Sequence, residues 1–316
     1  MADDSAASAV ALEHASKSFG ETRAVIDLSF AVGRGQIFGL IGPSGSGKTT
    51  TVRMVTGIHA PDKGRVLVLG REPRRFTARI RERIGYMPQH FVLYPELTVW
   101  ENLDFAASCY GLGLWRRGRR LRAMLDFVEL SDARNVPAGQ VSAGMQRRLE
   151  LACTLIHEPE LIVVDEPTAG IDPVLRQKFW NHFRELRDRG RTLFVTTQYV
   201  TEAEYCDVVA AMKAGRMVAM GSPDVVRQVA MGGEIVNVVA KGLTHAQVAA
   251  IETVEGVHSV RRISPDEVSV TVEDAGAATP LIVAALHGAG ATVVNVSEHR
   301  PNFDEVFVRL MEGQAA

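Results

Sequence analysis

Eight residues constrain this chain more than any others: GPSGSGKT at 42–49. They follow the apolar run QIFGLI and precede TTVRMVTGI, which has helical spacing. The pattern G-x-x-x-x-G-K-[ST] between a strand and a helix needs a fold that aims backbone N–H groups at phosphate oxygens. The glycines let the backbone close around the anion, and the helix N-terminus adds a partial positive charge. In this frame Gly42, Pro43, Ser44, Gly45, Ser46, Gly47, Lys48, Thr49 and Thr50 form a nucleotide cradle. Lys48 reaches the β- and γ-phosphates, and the Thr49 hydroxyl is placed for Mg²⁺.

Two further apolar runs, LIVVDE (161–166) and TLFVTTQ (192–198), end in polar residues. Short runs without alternation read as parallel strands covered on both faces. Asp165, at the end of the first, suits Mg²⁺, and Glu166 can polarise an attacking water. VLRQKFWNHFRELRDRG, between the two runs, is a helix closed by Gly190. Lys48 and Asp165 are too far apart for a minimal phosphate-binding core, so a helical region is inserted at about 90–156. It contains VSAGMQRRLEL (141–151), a second helix N-terminus suited to an anion. Two such loops serve one nucleotide if two chains pack head to tail.

Composition excludes several alternatives. Hydrophobic residues make up 46%, charged residues 23%, and the net charge is −2, so no nucleic-acid footprint covers the molecule. Three cysteines without a CxxC pair fit a reducing compartment and neither a disulfide framework nor a zinc site. The acidic N-terminus does not read as a signal peptide, and no apolar run approaches the roughly 20 residues needed to span a bilayer. Residues 1–8 read as a disordered tail. Residues 9–232 read as the nucleotide-binding domain. Beyond Gly232-Gly233, residues 233–316 read as a small α+β domain in β-α-β-β-α-β order with a closing helix. The basic runs EPRRFTARIRER and LWRRGRR read as solvated faces, with a minor role near anionic lipid as the alternative.

In order and spacing, the motifs from about Val10 to Pro223 resemble an ATP-binding-cassette (ABC) transporter ATPase, of the drug- and antibiotic-resistance exporter group of daunorubicin type. The resemblance implies a P-loop NTPase with a RecA-like α/β core, an inserted helical subdomain and a small accessory domain. GPSGSGKTT corresponds to Walker A and LIVVDEP to Walker B, with Glu166 as the catalytic carboxylate. Gln89, in IGYMPQH, stands at the Q-loop, which contacts nucleotide and metal and joins them to a membrane partner. VSAGMQRRL corresponds to the signature, contributing Ser142, Ala143 and Gly144 to the partner chain's ATP. AGIDP is the D-loop, with Asp172 at its core. Phe19, in KSFG, stands where the family stacks an aromatic on adenine; a plain core aromatic is the alternative. The ending NFDEVFVRLMEG also resembles that of this group, as a regulatory or dimer contact or as a stability cap.

Three positions depart from the family pattern: Ala143 for a glycine, Met145 for a glutamine, and Gln198 for a histidine at the γ-phosphate. Glutamine keeps a donor and an acceptor but holds no proton near neutral pH. Gln198 therefore slows hydrolysis, or it only ends its strand. The resemblance implies ATP and Mg²⁺ as ligands, a homodimer, a separate transmembrane permease, no nucleic acid, and a place on the cytoplasmic face of the membrane. An ATP-dependent switch with weak turnover and a non-transport ABC ATPase are the alternatives. One Walker A and no long insertion disfavour the latter.

Overall fold

The computed structural model describes residues 8–90 and 92–312. The chain forms two compact units, Met1–Val218 and Ala219–Ala316. Most of the expected tail, residues 1–7, lies outside the described residues, but Ser8 is buried and already belongs to the first strand.

In the first unit, β1 (Ser8–Phe19), β2 (Thr22–Gly33) and, after β3 (Ile37–Ile41) and α1 (Lys48–Val55), β4 (Lys63–Val68) make an antiparallel sheet ordered β2-β1-β4. A short α2 (Ala78–Arg81) leads to β5 (Ile84–Met87). The inserted region holds α3 (Val99–Cys109), α4 (Leu114–Phe127) and α5 (Ala143–Leu155). They close on a core of their own that includes Leu103, Leu121, Leu125, Leu149 and Ile156. A capping box fixes the start of α3: Thr98 Oγ1 accepts from the Glu101 N–H, and the Glu101 carboxylate accepts from the Thr98 N–H.

The chain returns through β6 (Leu161–Asp165), α6 (Pro173–Asp188), β7 (Thr192–Thr197), β8 (Val208–Lys213) and β9 (Arg216–Gly221). The main sheet runs β5-β6-β7-β3-β8-β9 and is parallel from β5 to β8. Every residue of β3, β6 and β7 is buried, as their unbroken apolar runs require. Adjacent strands bring their C-terminal ends to one edge of the sheet. In spatial order these ends carry Gln89, Asp165-Glu166, Gln198 and the glycine-rich loop, although the chain visits them as loop, Gln89, acids, Gln198. That edge is where open α/β sheets bind ligands.

In the second unit, α7 (Pro223–Met231) precedes β10 (Glu234–Ala240), α8 (His245–Glu252), β11 (Val257–Ser264), β12 (Glu267–Val272), α9 (Ala275–Gly288), β13 (Val293–His299) and α10 (Phe303–Glu312). The sheet is antiparallel, ordered β11-β12-β10-β13, so the expected β-α-β-β-α-β arrangement is present. The units divide at 218/219 rather than at Gly232-Gly233, because α7 joins the second unit. Arg227, on α7, is buried, donates to Pro301 O and lies over the Phe303 ring at 4.5 Å. The glycine pair only marks the end of α7, where Gly232 is left-handed.

Candidate nucleotide site

The loop at 42–49 is shaped by two glycines that no other residue can replace. A Cβ on Gly42 would lie 2.5 Å from Met212 O, and one on Gly47 2.3 Å from Ala24 O. Gly47 is also left-handed, at φ 106. The Gly42 N–H donates to Thr197 O across 3.3 Å, which ties the loop to the end of β7. Gly47 caps α1 without a side-chain hydrogen bond, and no acid occupies the first turn. The leading amides of α1 are thus open to an anion.

Lys48 is 4% exposed. Its ammonium donates to Gly42 O at 2.8 Å and Pro43 O at 3.1 Å, and lies 3.3 Å from Glu166 Oε1. Glu166 Oε2 accepts from Gln89 Nε2 at 3.0 Å. Lys48, Glu166 and Gln89, which stand far apart in the sequence, therefore meet at one point. The Glu166 backbone is left-handed, at φ 50, a conformation that costs a non-glycine residue on the order of 1–3 kcal/mol. Its N–H donates to both Thr196 O (3.1 Å) and Thr196 Oγ1 (3.0 Å), which offsets part of that cost.

Asp165 is 1% exposed. Its Oδ1 accepts from the Thr196 hydroxyl and faces Thr49 Oγ1 at 3.4 Å, whereas Oδ2 has no hydrogen-bond partner. A buried carboxylate oxygen without a partner, beside a threonine hydroxyl, is the oxygen chemistry that Mg²⁺ takes. The residues therefore fit that ion. Burial raises the pKa of Tyr86 on β5, and the nearby Asp165 carboxylate adds to the rise. Gln89, expected at the metal, donates from its amide Nε2 to Glu166 Oε2.

Gln198 is exposed directly after Thr197. The Thr197 hydroxyl accepts the Tyr199 N–H at 3.0 Å and so ends the strand, leaving Gln198 free of that task. Phe19 is 45% exposed and thus no core residue; its ring meets His59 edge-on at 5.1 Å, with Lys17 Nζ 5.5 Å from its centre. Ser142 and Asp172 cap α5 and α6 by accepting from Met145 N (3.2 Å) and Leu175 N (2.9 Å). Ala143 is the first residue of α5 and not at positive φ, so its methyl strains nothing. Gly144 is the tighter position: a Cβ there would lie 2.5 Å from Leu175 Cδ2. The signature and the D-loop thus form a second exposed cluster. Much of the basic runs is spent locally, as in the ion pairs Arg83–Glu160, Arg117–Asp104 and Arg120–Glu158.

Sequence reasoning passed over Arg147 and Glu150. Both are buried, on the same face of α5 as Leu151 and Leu155, and paired at 2.7 Å. Charged residues on the apolar stripe of a helix were the available signal.

The ABC transporter family profile matches residues 25–169, and that of the ATP-binding protein DrrA1-3-like C-terminal domain matches 221–311. The probable multidrug ABC transporter ATP-binding protein YbhF of Escherichia coli is 40% identical over 208 residues, 66% of this chain and 36% of its own length; the chain thus spans about a third of it. The daunorubicin resistance ATP-binding protein DrrA3 of Streptomyces coeruleorubidus is 37% identical over 96% of this chain and 95% of its own. Among solved structures, the dimeric post-hydrolysis state of the ATP-binding cassette MJ0796 bound to ADP and Pi superposes with a TM-score of 0.62 at 26% identity, over 67% of this chain and 98% of that one. With the phosphate loop, the paired acids and a near full-length relative in agreement, the chain belongs to the ATP-binding subunits of ABC transporters.

Proposed function

We propose that this chain binds and hydrolyses ATP to drive export through a separate membrane permease. The observation that carries the reading is the convergence of Lys48, Glu166 and Gln89 beside a buried Asp165 oxygen without a partner. The phosphates of ATP lie against the open amides of α1, and Lys48 serves as their counter-ion. Once Lys48 turns to phosphate, Glu166 Oε1 is free to accept a proton from the attacking water, while Gln89 holds Oε2. Thr49 and Asp165 would hold Mg²⁺, which neutralises charge on the phosphate oxygens. Phe19, exposed and mounted on the β1–β2 hairpin, offers its ring to the adenine.

Two copies of the chain enclose two nucleotides. Ser142, Ala143 and Asp172 of one copy, exposed at two helix N-termini, approach the ATP of the other together with the half-buried Gly144. The permease docks in a groove of about 240 Å³ lined by Tyr86, Val92, Tyr94, Phe105 and Tyr110, close to Gln89. Val92, Tyr94 and Phe105 are each at least 46% exposed there, an apolar face that the permease would cover. Among the described residues no helix is long and apolar enough to cross a membrane; on the reading proposed, the permease holds the chain at the cytoplasmic face. A second reading, a switch with weak turnover, is favoured by Gln198, which cannot take up a proton at the γ-phosphate.

Phosphate release by the purified chain, with and without Mg²⁺, tests the proposal against Glu166→Gln. The substitution is expected to lower turnover by about 10²-fold or more, as loss of a general base does. Equal rates in parent and variant would refute the hydrolytic assignment, and nucleotide binding without turnover would leave the switch.

A further inference from the structure

Gln89 and Glu166 come from loops 77 positions apart, yet their side chains meet at 3.0 Å. One guanidinium grips the backbone beneath both. Arg147 Nη1 donates to Pro88 O at 3.1 Å, immediately before Gln89. Arg147 Nη2 donates to Glu166 O at 3.0 Å, and Nε to Pro167 O at 3.3 Å. Nη1 also meets Glu150 Oε2 at 2.7 Å, and Glu150 Oε1 accepts the Val92 N–H at 3.1 Å, farther along the Gln89 loop. Arg147 is 8% exposed and Glu150 3%.

From this geometry we infer that Arg147 is a positioning residue for hydrolysis: it aligns Gln89 with Glu166 and couples that alignment to helix α5. The inference rests on the ATPase reading above. Three physical points support it. A buried ion pair is a poor source of stability, since well-packed apolar residues of similar volume do as well or better. The pair therefore needs another reason to occupy the apolar face of α5. A planar fork of fixed N–H donors also suits three carbonyls on two loops, which the single ammonium of a lysine cannot hold in the same way. Finally, Glu166 sits in a left-handed conformation that persists only where its surroundings over-determine it, and Arg147 supplies the contact to its carbonyl.

Ser142, which caps the same helix, lies five residues upstream, about 7.5 Å along the axis. A rotation of α5 when its N-terminus meets the partner's nucleotide thus moves the Arg147 fork. The carbonyls beneath Gln89 and Glu166 follow. Engagement of the second chain would in this way set the geometry of the carboxylate in the first.

The test is a double-mutant cycle in the full-length chain, read as kcat and KM for Mg-ATP with thermal melting alongside. Arg147→Lys and the volume-matched pair Arg147→Met/Glu150→Met are each made in the parent and in Gln89→Ala. The Met pair removes both charges of the buried pair at matched volume but leaves the carbonyls of Pro88, Glu166 and Pro167 without their donor, so the melt is read to separate a loss of kcat from a loss of fold. Both variants should lower kcat about tenfold or more with KM within about threefold. In the Gln89→Ala background the further loss should be under about threefold, because the aligned group is already gone. Full kcat in either variant overturns the proposal. So does a rise in KM at unchanged kcat, or a loss that multiplies undiminished in the Gln89→Ala background. Should the Met pair fail to fold, Arg147→Lys carries the same comparison. A parent without Glu166-dependent turnover would refute the ATPase reading itself, a result distinct from any of these.

Discussion

The two units bury their residues in opposite ways. In the first, Lys48, Arg147, Glu150, Asp165, Glu166 and Glu202 are all buried and ionisable. In the second, Arg227 is the buried charged residue among the described ones, and its core is aliphatic, built on Val236, Val268, Val270, Ile282 and Leu286. Burying a charge costs several kcal/mol unless it is paired and hydrogen-bonded. A protein that concentrates such groups in one unit places its chemistry there, and the other unit uses burial for cohesion. The strands show the same division. β12 alternates buried and half-buried residues, as a sheet with one covered face does, whereas β6 and β7 are buried throughout.

Four substitutions sharpen or break this contrast. Lys48→Ala has the largest expected effect: turnover falls by about 10²-fold or more, as when a single electrostatic donor to a transition state is removed. Phosphate release should show the loss while far-UV circular dichroism stays that of the parent. Leu286→Ala, in the aliphatic core of the second unit, is expected to cost about 2–5 kcal/mol of that unit's stability by denaturant titration. Turnover of the first unit should change less than about twofold. A collapse of turnover would mean that the second unit is no mere cap and would end the division argued here.

A smaller effect is expected for Gln198→His, which should raise turnover by about two- to tenfold and add an ionisation near 6.5 to the pH–rate profile. A fall in turnover would show that the amide does not limit hydrolysis.

The smallest effect concerns pH. His157 is stacked on Tyr110 at 3.6 Å, its Nε2 lies 3.1 Å from Ile84 O, and burial depresses its pKa to about 4. With the folded value below the unfolded one, its contribution is complete above about pH 6.5 and is lost as pH falls through 4. Melting temperature should therefore drop across that window, and His157→Gln should flatten the drop. An unchanged slope in the variant would assign the acid sensitivity to other groups.

The sequence by itself determined the phosphate loop, the paired acids, the signature and its order, and the split β-α-β-β-α-β arrangement of the second unit. Each is local: a turn that only glycine can make, a run with a fixed period, or a polar residue at the end of a strand. β1 was not legible, because VALEHASKSF alternates weakly and is held in place by pairing on both sides with β2 and β4. Nor was it legible that α7 joins the second unit.

The site itself depended on strand order. Placing β5 beside β6, and β7 beside β3, brings Gln89 to Glu166 and the end of β7 to Gly42. The spacing of residues along the chain carries no record of which strands lie side by side. Arg147 belongs to the same class. Its role exists only because the tertiary fold brings three carbonyls from two loops within reach of one guanidinium, where water can no longer solvate them.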